Sequence, residues 1–121
     1  MANTAAQRLA ANESRFRDAN EGIEERATEL GYHVREELVP FLCECGDERC
    51  TELIRLTLVE YETVRSNPLH FLCRVGHERV AESTGAGRLV RREDRFVVVE
   101  KEGAAAAVAE ERDPRTEQAK G

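Results

Sequence analysis

The sequence predicts an α+β fold: an N-terminal helix, a small and mainly antiparallel sheet with a short helix, and a side-chain crosslink that supplements a modest core. Three observations predict it. Leu9, Phe16, Ile23 and Leu30 recur every seven residues in a background rich in Glu and Arg. Beyond Gly31 the apolar runs shorten and are separated by Gly and Pro. Cys43, Cys45 and Cys50 fall close together around Gly46.

The first element is a helix over residues 3–31, capped by Asn3 or Thr4 and ended by a left-handed turn at Gly31. Its stripe of Leu9, Phe16, Ile23 and Leu30, flanked by Ala5, Ala19 and Ala27, is narrow and interrupted by Asn12, Asn20 and Arg26. Packing against its own domain is therefore expected, rather than a long homodimeric coiled coil. Residues 32–102 form the second unit. Leu38 to Cys43 reads as a strand with Pro40 at an edge, and Leu53 to Leu56 as another. Thr57-Leu58-Val59-Glu60 is a capping box that starts a helix running to about Ser66, before Asn67-Pro68. Leu69 to Val75 is a third strand, Glu78 to Ala81 a short fourth, and Ser83 to Gly87 a loop. Leu89-Val90 and Phe96 to Val99 enclose the charged tip of a hairpin. Residues 103–121 show no amphipathic pattern and are interrupted by Pro114, so a disordered tail is expected.

A chain of 121 residues has room for one small core, and 15 of its apolar residues are Ala. The net charge is −6, and only residues 68–101 are basic on balance, with seven basic and five acidic side chains. A nucleic-acid binder held by phosphate contacts would carry a larger positive field. The opening Met1-Ala2-Asn3-Thr4-Ala5-Ala6-Gln7-Arg8 lacks the apolar segment of a signal peptide, and no apolar run is long enough to span a bilayer. A cytoplasmic setting without membrane association is expected, and in that reducing setting disulfides are disfavoured.

A metal explains the thiols better. In an extended strand, residues i and i+2 face the same way, so Cys43 and Cys45 offer both sulfurs to one point. Gly46 reverses the chain and Cys50 returns, giving three of the four ligands of a tetrahedral zinc. The segment Phe41-Leu42-Cys43-Glu44-Cys45-Gly46-Asp47-Glu48 is echoed by Phe71-Leu72-Cys73-Arg74-Val75-Gly76-His77-Glu78. The fourth ligand is expected to be His77, which follows the echoed Gly. Cys73 is the alternative, although a straight strand would hold Cys73 and His77 about 13 Å apart. Cys73 also fits a plain apolar strand position.

Other chemistry is thinner. His77-Glu78 begins like a zincin helix, but Ala81 stands where a second His is required and the region does not read as helical. Gly85 and Gly87 have no following Lys-Ser/Thr, and no G-x-S-x-G occurs, so no catalytic residue is assigned. Asp47, Glu48 or Glu78 would serve as a base only in an open metal site. His33 and His70 are isolated. Arg88, Arg91, Arg92 and Arg95 gather on one hairpin and give the only route to nucleic acid, against Glu93 and Asp94 in the same turn.

The stretches Asn12-Glu13, Phe16-Arg17 and Asn20-Glu21-Gly22-Ile23, the thiol turn with Cys50-Thr51-Glu52, Glu60-Tyr61-Glu62-Thr63-Val64-Arg65, Gly76-His77-Glu78 and Val98-Val99-Glu100-Lys101 together resemble a family of small bacterial proteins, mainly actinobacterial. The resemblance covers residues 12–101 and is most specific in C-E-C-G-D-x-x-C with its downstream G-H-E. It implies that His77 belongs with the three Cys, that Cys73 stands where relatives carry an apolar residue, and that there are no catalytic residues to carry over. The expected function is a small zinc-stabilised binding or regulatory module with a protein partner. The alternatives are a zinc-thiolate redox switch and a nucleic-acid-binding finger.

Overall fold

The computed structural model describes residues 4–115. Thr4 caps α1 (Ala5–Glu29) through a complete capping box with Gln7, and Gly31, at φ +82°, turns the chain out of it. Asn3, the other expected cap, lies outside the described residues. After a one-turn α2 (Tyr32–Arg35), β1 (Val39–Leu42) and β2 (Leu53–Leu56) pair antiparallel, with Phe41 opposite Ile54. Thr57 and Glu60 form the expected capping box of α3 (Leu58–Arg65). Then β3 (His70–Cys73), α4 (Glu78–Thr84), β4 (Gly87–Arg92), β5 (Val97–Lys101) and α5 (Gly103–Glu111) follow. The second sheet has the order β3-β5-β4, all antiparallel, with a bulge between Leu89 and Arg91. The mixed α+β architecture stands, but its strands divide into two sheets.

The core lies between these sheets and the helices. Phe41 stacks on Tyr61 at 4.2 Å between ring centroids, and Phe71, Leu72 and Val97 to Val99 are buried. Such an aromatic pair contributes about 1 kcal/mol beyond its buried area. Two tip arginines of the β4–β5 hairpin are paired: Arg91 with Glu93 at 2.6 Å, and Arg95 with Glu60 at 2.8 Å. Among the described residues no helix is long and apolar enough to cross a membrane.

Three expectations are corrected. The buried face of α1 is not the seven-residue stripe: it comprises Leu9, Ala10, Glu13, Ser14, Arg17, Asn20 and Ala27, while Ala5, Ala19 and Leu30 are exposed. Polar residues occupy that face because each finds a buried partner. Glu13 pairs with Lys101, and the Arg17 guanidinium donates to the carbonyls of Pro68 and Ala109, both at 2.8 Å, while stacking 4.5 Å above the Phe71 ring.

The expected fourth strand, Glu78 to Ala81, is the start of α4, which takes up Ser83 and Thr84 as well. It ends at Gly85 in the left-handed region, with the Gly85 N–H returned to the last turn. The expected disordered tail, residues 103–121, begins instead with α5. Its Ala run has the highest helix propensity of any residue, and the small side chains of Ala105 and Ala109 let it lie close on α1. Residues 116–121 lie outside the described residues.

Candidate metal centre

The thiol turn is held where the two sheets meet. Beyond the end of β1 the Cys43 N–H still donates to the Glu52 carbonyl at 3.1 Å, while the next amide, Glu44 N–H, donates to Leu72 on β3 at 2.8 Å. Successive amides of an extended chain point in opposite directions, so this segment joins one sheet to the other. Cys43 and Cys45 then face one way and Glu44 the other, into the protein. There the Glu44 carboxylate accepts from Leu72 N–H at 2.9 Å and from the Asn20 amide at 2.8 Å, and Asn20 also brackets Leu42 by its N–H and C=O. Burial raises the Glu44 carboxyl to about 7, against the pull of those hydrogen bonds.

Two turns complete the geometry. Gly46 sits at φ +83°, and an added Cβ would lie 2.4 Å from Leu9 Cδ1 and 2.8 Å from Glu13 Cγ, so only glycine gives this turn both its conformation and its close seat on α1. Asp47 then closes the loop that returns Cys50: its side chain accepts from Arg49 N–H and its carbonyl from Cys50 N–H, both at 2.9 Å. On the other side, Gly76 at φ +97° forms a turn closed by His77 N–H to the Arg74 carbonyl at 2.9 Å, and Glu78 accepts from Gly76 N–H at 2.8 Å. The carboxylates considered as bases are thus occupied in shaping these turns, except Glu48, which pairs with Arg15 on the surface. His77-Glu78 does lie at the start of a helix, contrary to expectation, with buried Ala81 in the place of a second His.

Four side chains converge. The ligand atoms of Cys43, Cys45, Cys50 and His77 all lie within 4.8 Å of one another, close enough to hold a metal ion. The Nδ1 atom of His77 is 3.4 Å from Cys43 Sγ and 3.6 Å from Cys50 Sγ. Ordinary metal–sulfur and metal–imidazole bond lengths at tetrahedral angles require an S···N separation of about 3.6 Å. His77 Nδ1 therefore stands at coordination spacing from the Cys43 and Cys50 sulfurs.

Backbone amides support the sulfurs. Arg74 N–H donates to Cys43 Sγ at 3.3 Å, and the amides of Asp47 and Glu52 serve Cys45 and Cys50. These contacts favour thiolate, but among themselves the thiols favour the protonated form. The hydrogen bond it accepts from Cys45 lowers the Cys43 thiol, but the bond it donates to Cys73, with burial, outweighs that and moves Cys43 upward. The hydrogen bond that Cys45 donates to Cys43, then burial, raise Cys45, and burial raises Cys50. A cation between three sulfurs inverts that balance, since a coordinated thiol is deprotonated outright.

Cys73 stands outside the group of four. It is buried at the end of β3, a free thiol hydrogen-bonded to Cys43. Sequence reasoning missed Asn20, Glu44 and Glu13 as supports of this site. Their only signal was polar residues on the internal positions of α1 and between the two cysteines. Of the remaining candidates, His33 is exposed beside α3, His70 pairs with Glu100 at 3.4 Å, and Arg88 pairs with the same carboxylate at 3.1 Å. Arg92 is exposed and has no ionic partner among the described residues. In comparison with known proteins, the chain matches no protein-family model, no curated protein and no solved structure.

Proposed function

We propose that this chain is a small zinc-stabilised binding module of the reducing cytoplasm, which acts through protein–protein contacts. The observation that carries the reading is the convergence of Cys43, Cys45, Cys50 and His77 within 4.8 Å. Three thiolates and one imidazole in a tetrahedral arrangement suit zinc, and hard cations such as magnesium or calcium take oxygen ligands instead. With all four positions supplied by protein, the ion keeps no place for water or substrate, which is the pattern of a structural site. Its role is to clamp the turn after β1 to the turn before α4, and thereby to fix α1 through Gly46. Native mass spectrometry should find one zinc per chain. Chelation should remove much of the ordered structure between β1 and α4, read by circular dichroism and amide exchange. A chain that binds no zinc, or keeps an unchanged fold in chelator, contradicts the proposal.

One observation favours a second reading. The Cys73 thiol is hydrogen-bonded to Cys43, so a peroxide has a resolving partner at hand. Peroxide would oxidise Cys43 to a sulfenic acid, Cys73 would displace water to form the disulfide, and zinc would leave. Peroxide-driven zinc release at the same threshold in Cys73→Ser contradicts that switch.

A further inference from the structure

The four donors of the metal centre are not held alike. Cys43 and Cys45 are each only 2% exposed, and they flank Glu44, whose amide and carboxylate tie this segment to Leu72 on β3. Cys50 and His77 make up the half-buried side of the site, with Arg49, Thr51 and Val75 exposed close by in the chain. One edge of the centre is sealed and the other meets solvent.

The two donors on the open edge also differ. Each sulfur has a backbone amide behind it: Arg74 N–H for Cys43, Asp47 N–H for Cys45 and Glu52 N–H for Cys50. His77 has no such support. A ligating imidazole is normally oriented by a carboxylate, carbonyl or water on its second nitrogen. Among the described residues the only hydrogen-bonding contacts of the His77 ring are those of Nδ1 with Cys43 and Cys50, and the neighbouring Glu78 carboxylate is taken up by Gly76 N–H at 2.8 Å. The imidazole is moreover the one uncharged donor, so its departure separates no charge from the ion. It is the ligand most easily given up.

We infer that His77 is the exchangeable ligand of this centre, and that an external thiolate takes its place on the ion at the Cys50–His77 edge. The inference rests on the zinc reading above and adds a ligand-binding position to it. In the exchange the incoming thiol gives its proton to solvent, a zinc–sulfur bond forms, the bond to Nδ1 breaks and the imidazole leaves neutral. Neither zinc nor sulfur changes oxidation state. The product carries one more negative charge, on the side where water and salt screen it. A thiolate is the class of ligand that displaces an imidazole here, since it supplies a charged sulfur of the kind the other three positions already use. Cys73, the internal thiol, is 1% exposed and hydrogen-bonded to Cys43, which keeps it from that edge.

The test uses the full chain loaded with cobalt(II), and with zinc in parallel, in a phosphine reductant that is not itself a thiol. The probes are glutathione and the blocked peptide acetyl-Gly-Cys-Gly-amide, each beside its S-methyl form. Going from three sulfurs to four should raise the sulfur-to-cobalt charge-transfer absorption saturably, by about one third. Native mass spectrometry should find chain, metal and one thiol together, and NMR of the zinc sample should show the His77 ring released. The S-methyl forms should have no effect, and Cys73→Ser should respond as the wild type does. In His77→Gly no imidazole competes, so the same thiols should bind at least about tenfold more tightly. If that variant takes up no metal, the wild-type titration decides alone. Full metal content with no spectral change, metal stripped without a ternary complex, a response lost in Cys73→Ser, or no tighter binding by metal-loaded His77→Gly overturns the exchange and leaves the zinc reading intact. A chain that takes up neither metal overturns that reading instead. Tighter binding of the peptide would identify the thiol as a partner's cysteine, and tighter binding of glutathione as a free small thiol; both uphold His77 as the ligand that yields.

Discussion

Alanine at Gly46 and at Gly76 should have different costs, and the difference isolates how the thiol turn is seated on α1. Both glycines are left-handed, at φ +83° and +97°. Each substitution therefore pays a backbone strain of roughly 1–2 kcal/mol, partly offset by about 0.4–1 kcal/mol from a less flexible unfolded chain. These contributions are common to the two sites and cancel in the comparison. What does not cancel is the surroundings: nothing lies within 4 Å of a Cβ at Gly76, whereas at Gly46 the new atom meets Leu9 Cδ1 at 2.4 Å and Glu13 Cγ at 2.8 Å. Leu9 can turn aside, but Glu13 is held by Lys101 inside the protein. Overpacking of this kind costs about 1–3 kcal/mol, so Gly46→Ala should be less stable than Gly76→Ala by about 2 kcal/mol. Urea unfolding at fixed free zinc measures both. In a Leu9→Val background, which lacks the Cδ1 atom, the Gly46 penalty should shrink. Equal costs within 0.5 kcal/mol would refute the reasoning.

The buried supports give further expectations. Asn20→Ala leaves the Leu42 backbone and the Glu44 carboxylate without their partner, and should cost about 2–3 kcal/mol by denaturant titration while weakening metal affinity. Lys101→Met leaves Glu13 buried and unpaired, and should cost about 3 kcal/mol at pH 8. Burial raises Glu13 from 4.5 to about 7 even beside Lys101. A carboxyl raised on folding stabilises below its unfolded pKa and loses that contribution as pH rises through its folded pKa, so the Lys101→Met deficit should shrink between pH 8 and pH 5 in metal-free protein. Metal-loaded protein should show the opposite trend over its own site, since acid protonates the ligands. Cys45→Ser should abolish stoichiometric zinc, whereas Cys73→Ser should retain it and lose only about 1 kcal/mol of packing, as read by metal analysis and melting.

Legibility in the sequence followed locality. The capping box at Thr57, a cap at Asn3 or Thr4, the β2 strand and the thiol turn were readable because each is specified by residues within a few positions of one another. The buried face of α1 was not, because Glu13, Arg17 and Asn20 are internal only by virtue of Lys101, Ala109 and Glu44, whose proximity no periodicity encodes. The fourth strand failed for a related reason. Glu78 to Ala81 is too short for period to decide, and the informative signal was Gly85 as a helix terminator. For α5 the Ala run was discounted for lack of an amphipathic pattern, although small side chains that pack on α1 need only a narrow contact. The convergence of His77 with the three cysteines was anticipated from an echoed turn. What the sequence could not supply was the α4 helix that follows His77, or the Glu44–Leu72 bonds that bring the two turns together.

The proposed ion is a zinc held by three sulfurs and one nitrogen. Zinc-edge X-ray absorption of the purified, zinc-loaded chain reads that shell directly. The account predicts three sulfurs at about 2.3 Å and one nitrogen at about 2.0–2.1 Å, unchanged in Cys73→Ser and with the nitrogen lost in His77→Ala. A four-sulfur shell that disappears in Cys73→Ser, or a shell of oxygen ligands alone, would contradict it.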